Sequence, residues 1–132
     1  YIDVLEHIKD DKREIESVYG CLREGGFLVV LAPAHQWLFT PFDEAIGHYR
    51  RYNKRMMKAI IPSDELKCIS LRYLDCVGLI ASLGNRLLLK SKMPNKQQIL
   101  VWDKVMVPIS KIVDPLIQYS VGKSVLGIWQ KR

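Results

Sequence analysis

His7, preceded by Glu6, is the kind of residue that removes a proton from an acceptor hydroxyl or amine, because an imidazole titrates near about pH 6.5. The same pair also suits a structural task, bonding to each other and capping the helix that follows. Arg50 and Arg51 stand side by side between Tyr49 and Tyr52. A planar guanidinium fork fits a phosphate or carboxylate, and the alternative is that one arginine pairs with Asp43 or Glu44 and pins its loop. Between these groups lies Ala34–Asp43, a loop holding His35, Trp37, Phe39 and Phe42. Its composition suits a pocket wall against an apolar or sugar acceptor, or equally a plug over a core.

Such groups act together only if the fold brings them to one rim. The stretch from Tyr1 to Pro33 predicts how. Asp11 as N-cap with Glu14 three residues on predicts a capping box, and Ile15, Val18, Tyr19 and Leu22 recur at the spacing of one helical face. Gly25-Gly26 ends that helix. Phe27–Leu31 is an unbroken apolar run, too short for a helix, and is expected to be a strand covered on both faces and stopped by Pro33. If Tyr1–Val4 is the tail of an earlier strand, the unit is βαβ, and Asp3–His7 and Ala32–His35 leave the sheet side by side at its carboxyl edge.

Asp3-Val4-Leu5-Glu6-His7-Ile8, an Asp-Asp pair, a helix, Leu22-Arg23-Glu24-Gly25-Gly26 and a strand ending Ala32-Pro33 together resemble the second half of a class I S-adenosylmethionine-dependent methyltransferase. Gly47-His48-Tyr49-Arg50-Arg51-Tyr52 is similar to a motif of a bacterial subgroup of that family. The resemblance runs through most of the chain, most closely over 1–73. It implies an α/β fold, the C-terminal portion of a Rossmann-like sheet with parallel strands, crossover helices and an antiparallel final strand. It also implies a helical insertion or lid over 79–119. By position, Ile2, Asp3 and Val4 would line the methionine end of the cofactor S-adenosylmethionine, His7 and His48 would be catalytic, and His35, Trp37, Tyr49, Arg50 and Arg51 would face the acceptor. Some relatives hold magnesium with an acidic-x-x-Glu-His cluster, a spacing that Asp3, Glu6 and His7 share. Three candidates without a fourth do not make an octahedral oxygen site, so no metal is expected. The family's glycine-rich loop and ribose-binding acidic residue have no counterpart, and G-x-G-x-x-G is absent. The expectation is therefore a partial methyltransferase domain, 1–132, that binds the cofactor poorly by itself.

Further along, Asn53 is expected to cap a helix over Lys54–Ile61, and Leu66–Leu74 to be a strand. Gly78–Leu89 reads as an apolar helix, 91–96 as a loop, and Ile99–Tyr119 as short helices divided by Pro108 and Pro115, buried against the sheet. Ser124–Gln130 is expected to be the closing strand.

With 48% hydrophobic residues the chain can bury a core and is not a disordered segment. Three cysteines, Cys21, Cys68 and Cys76, without paired spacing argue against a disulfide framework or zinc ribbon and for a reducing, cytoplasmic setting. Charge is uneven. Residues 1–84 hold 11 Lys+Arg and 12 Asp+Glu, net −1, whereas residues 85–132 hold 9 Lys+Arg and 2 Asp+Glu, net +7. That asymmetry favours an anionic partner or else a solvated face. The leading expectation is methyl transfer to an oxygen or nitrogen of a small, lipid-linked or sugar-linked acceptor. The alternative is a non-catalytic membrane-surface or assembly module that uses its basic C-terminal helices, at the inner membrane face in the first case. Nucleic-acid binding ranks lowest, because stacking aromatics are not interleaved with the basic residues of the tail.

Overall fold

The computed structural model describes residues 1–62, 64–84 and 96–132. Three strands form the sheet: β1 (Phe27–Pro33), β2 (Leu66–Leu74) and β3 (Ser124–Lys131), in the order β1-β3-β2. The strand latest in sequence is therefore central. It runs antiparallel to both neighbours, with Phe27 opposite Gln130 and Tyr73 opposite Val125. The expected antiparallel closing strand is present. Parallel neighbours are not seen among these three strands, because β3 lies between two strands that point the same way. Among the described residues, parallel pairing is confined to two isolated bridges, Ile2 with Leu31 and Ala34 with Tyr52.

The first bridge matters most for the rim. The Tyr1 terminal amine donates to Val29 O, Leu31 N–H to Tyr1 O, and Asp3 N–H to Leu31 O. Asp3 and His35 then leave the sheet at the same end, each with positive φ, 50° and 66°. Asp tolerates that region better than most residues, and such backbone persists only where surrounding contacts hold it.

β1 is covered on one face, not on both. Leu28, Val30 and Ala32 are buried, while Phe27 is 56% and Val29 37% exposed. The buried face packs against α1 (Asp11–Cys21), whose Ile15 is fully buried with Val18, Tyr19 and Leu22 alongside it. The N-cap of α1 is Asp10, whose side chain accepts from Arg13 N–H, not Asp11. Asp11 is drawn inward by the Tyr52 hydroxyl at 2.7 Å, and Glu14 accepts from the Tyr1 hydroxyl, so no capping box forms.

After a short α2 (Pro41–Ala45), α3 (Lys54–Ala59) begins at Asn53, whose side chain accepts from Met56 N–H as expected. Met57 and Tyr52 are buried in the same core as Val125 and Trp129. In β2 the register shifts between Cys68 and Ser70. That bulge moves the inward parity from Leu66 to Leu71 and Tyr73 and leaves Ile69 exposed.

Between β2 and β3 the described residues are largely helical: α4 (Cys76–Gly84), α5 (Lys96–Val101), a wide π turn (Trp102–Met106) and α6 (Val107–Leu116). The second half of the expected 78–89 helix and the expected 91–96 loop lie outside the described residues, apart from Lys96, which opens α5. The prolines bracket α6, one of the expected short helices. Pro108 falls in the first turn of α6, where a missing N–H costs least, and Pro115 in its last.

Nor is the apolar face of α6 buried against the sheet. Ile109, Ile112 and Leu116 are exposed, whereas Ser110 and Asp114 are buried. Asp114 accepts from Asp75 N–H at 2.7 Å and Cys76 N–H at 3.0 Å. Ser110 accepts from Val77 N–H at 3.2 Å and donates to Asp75 at 2.8 Å. The unpaired N–H groups at the start of α4 therefore draw the polar side of α6 inward, and its apolar side is left outside.

Candidate functional site

Leu5–His7 form one turn of 3-10 helix directly after the Ile2–Leu31 bridge. Leu5 and Glu6 point into the protein and His7 faces solvent. The segment 47–49 docks on this turn, with Tyr49 N–H donating to Glu6 O at 2.8 Å. That contact brings His48 to His7, the two rings meeting edge to face with centroids 4.5 Å apart. His7 and His48 are thus brought together across 41 residues of chain, from two motifs that the sequence offers separately.

Asp43 organises the layer behind them. Its Oδ1 lies 3.1 Å from His48 Nδ1, and its two oxygens accept Arg51 Nε–H and Nη2–H, each at 3.0 Å. Thr40 adds its backbone N–H and its hydroxyl, both at 2.8 Å. Burial pushes the Asp43 carboxyl up, but the Arg51 and Thr40 bonds outweigh it and hold it below the usual carboxylate range. An ionised Asp43 can only accept, so His48 donates from Nδ1 and leaves Nε2 as its other ring nitrogen. That nitrogen points towards Glu6 Oε1, 3.8 Å away. Glu6 is 1% exposed, and burial, the largest influence on it, raises its pKa. Its Oε2 has no hydrogen-bond partner among the described residues.

Arg50 and Arg51 do not act as one fork. Arg51 is buried and held by Asp43, the structural pairing the sequence left open. Arg50 pairs with Asp11 at 2.5 Å and donates to Lys9 O at 2.6 Å. Both expected acceptor-side guanidiniums are therefore engaged by carboxylates within the fold.

His35 belongs to a second cluster. Its ring lies between Trp37 and Tyr73, with centroids 5.3 Å and 4.9 Å away, and its Nε2 is 3.0 Å from Gly122 O. Burial is the main cause that lowers its pKa. Lys54 sits over the Tyr73 ring at 4.8 Å. Trp37 is half exposed. Ile2, Asp3 and Val4 form an open, exposed strip beside Leu31.

A concavity of about 460 Å³ is lined by Phe39, Glu44, Gly47, His48 and Tyr49. A larger one, about 800 Å³, is formed by the consecutive stretch Cys21–Phe27 at the other end of β1, away from the histidines.

Asp43 and Tyr73 escaped the sequence reading as site residues. Asp43 carried a signal, since Thr40-Pro41-x-Asp43 is a helix-start pattern that fixes the carboxylate's position. Tyr73 carried none, because only the β2–β3 pairing brings it to His35. No protein-family model matches the chain, and neither does any curated protein.

Proposed function

We propose that this chain forms the acceptor side of an S-adenosylmethionine-dependent methyltransferase, within a Rossmann-like sheet, and that His7 and His48 serve its acceptor nucleophile. The observation that carries the reading is the pair of neighbouring, same-direction strand exits. Asp3–His7 and Ala32–His35 leave one rim, tied by the Asp3 N–H to Leu31 O bond of 2.9 Å, as the motif order implies. Ligands of open α/β sheets bind at such a rim.

Ile2, Asp3 and Val4 suit one end of the cofactor, offering two apolar side chains and a carboxylate. They do not enclose it, because all three are exposed. When bound, the sulfonium supplies an already activated methyl group. What the protein must add is an oriented nucleophile and a place for its proton. The His48 Nε2 lone pair, fixed by Asp43, can accept that proton, and the half-exposed Trp37 offers a flat apolar wall to the acceptor. Titrating S-adenosylmethionine into ¹⁵N-labelled protein tests this. Amide shifts centred on Ile2–Val4 and extending to His7 are expected. No shift at about 5 mM ligand, a concentration that reveals even millimolar affinity, would exclude the reading.

A second reading has its own observation. Ile80, Leu100, Val101, Val105, Ile109, Ile112 and Leu116 are all exposed, with Lys104 and Lys111 interspersed. Apolar side chains mixed with cations on short helices suit contact with an anionic membrane surface, from which a lipid-linked acceptor would be reached. No described helix is long and apolar enough to cross a membrane.

A further inference from the structure

Glu6, His7 and His48 each place one donor atom within 4.8 Å of the other two. The sequence spacing offered Asp3 as the third partner of Glu6 and His7, and the fold brings in His48. The change alters the chemistry of the set, from two carboxylates and one imidazole to one carboxylate and two imidazoles.

Three features distinguish this trio from a chance surface cluster. Glu6 is 1% exposed and its Oε2 has no hydrogen-bond partner among the described residues, an uncommon and costly state for a buried carboxylate oxygen. His48 Nε2 and Glu6 Oε1 are 3.8 Å apart, beyond hydrogen-bond range. Ligands about 2.1 Å from a shared tetrahedral ion sit roughly 3.4 Å from each other, so donor atoms within 4.8 Å of one another need draw together by no more than about 1.4 Å to coordinate. Finally, His48 is already oriented from behind. Asp43 holds its Nδ1 at 3.1 Å and Arg51 holds Asp43, the carboxylate–histidine arrangement that fixes the tautomer of a metal-binding imidazole.

We infer that Glu6, His7 and His48 form a binding site for one divalent ion of the zinc class, with a fourth position open to solvent or substrate. Two imidazole nitrogens and a carboxylate select borderline ions over magnesium, which prefers oxygen ligands. His7 is exposed and gives the ion a route in, while the Tyr49 N–H to Glu6 O bond keeps the two ligand-bearing segments together. The concavity lined by Phe39, Glu44, Gly47 and Tyr49 adjoins His48, so the fourth position lies beside a space that a water or an anionic ligand can enter. The site requires no methyl donor and stands whether or not S-adenosylmethionine binds; because His48 Nε2 cannot ligate an ion and take up a proton at once, the ion-bound form and the proton-accepting form are alternative states of the same residue.

The test uses chelator-treated protein carrying Cys21→Ser and Cys68→Ser, which removes the two exposed thiols as competing ligands. Zinc chloride is titrated by calorimetry, and cobalt(II) is followed by its visible absorption. One ion per chain is expected, with affinity at least tenfold above that for magnesium and cobalt bands of low-symmetry coordination. His7→Ala, at an exposed position, should lower zinc affinity at least tenfold without loss of helical circular dichroism. Asp43→Asn should weaken binding about 10–100-fold while keeping the stoichiometry. Absence of saturable binding, or wild-type affinity in His7→Ala, would overturn the site. Should Asp43→Asn fail to fold, the His7→Ala result decides.

Discussion

Asp43 shows how much one carboxylate can determine here. It is nearly inaccessible and binds Arg51, Thr40 and His48 together. Breaking a buried pair by removing one charge leaves the other uncompensated, at a cost of about 3–5 kcal/mol. Asp43→Asn should lower unfolding stability by roughly that amount in urea denaturation at pH 7. Its acid dependence has a definite sign. The folded pKa of Asp43 lies below its ordinary value of 3.8, so its contribution is complete above that value and is lost as pH falls through the lower, folded one. Glu6 runs the other way. Its folded pKa is raised, so its contribution is complete below the ordinary 4.5 and is lost as pH rises through the folded value. In metal-free protein, Glu6→Gln should therefore be at least as stable as wild type at pH 7, and less stable relative to wild type at pH 4. Thermal melts at the two pH values check this, and a uniform loss at both would contradict the assignment.

Of the site itself, the residue types were legible and their partnerships were only partly so. His7, His48 and the aromatic loop stand out by composition. The contact between His7 and His48 depends on the Tyr49 N–H to Glu6 O bond, which no local pattern encodes. Arg50 and Arg51 show the converse. Adjacent arginines suggest a clamp, but neighbouring residues on an extended segment point to opposite sides, and these two reach Asp11 and Asp43 separately.

Among the elements, β1, β2, β3, α1 and α3 are readable from apolar periodicity, caps and glycine stops to within a few residues. What periodicity misses is where each face goes. Phe27–Leu31 looks doubly covered because Phe27, Val29 and Leu31 are as apolar as Leu28 and Val30, and only packing shows that one side is open. Likewise α6 turns its polar face inward, because Ser110 and Asp114 satisfy the start of α4, a long-range demand invisible in the helix's own sequence.

β3 holds a sharper test of packing. A Cβ on Gly127 would fall 1.9 Å from the ring of Trp129, which is 2% exposed and has no room to move aside. Gly127→Ala should therefore destabilise by about 1–3 kcal/mol, read as a lower urea midpoint with Trp fluorescence following the same transition. An unchanged midpoint would mean that the indole does not lie over the glycine.

At the scale of the whole molecule, the excess positive charge of residues 85–132 and the exposed apolar face of α6 coincide along the chain. If that surface meets lipid, the protein should co-sediment with vesicles rich in anionic phospholipid and release as salt shortens the screening length. Ile112→Ser with Leu116→Ser should reduce the bound fraction severalfold, as should Lys104→Glu with Lys111→Glu. Equal binding to neutral vesicles would refute the electrostatic part. Lys123 is not a useful member of that set, because burial pulls its pKa down to about 8 and its backbone is tied to Ala34 and Asp75.

The sheet order has one more consequence. Among the described residues β1 and β2 pair only through β3, so neither strand has its main partner until the chain has been made through residue 131. During synthesis two ribbons with open hydrogen-bonding edges must wait for a third, in a topology whose contacts span most of the polypeptide. Chains of that kind find their native state slowly and are most at risk of sticking to one another while they wait. A nascent copy halted before Ser124 would be expected to depend on chaperones, however well its helices had already formed.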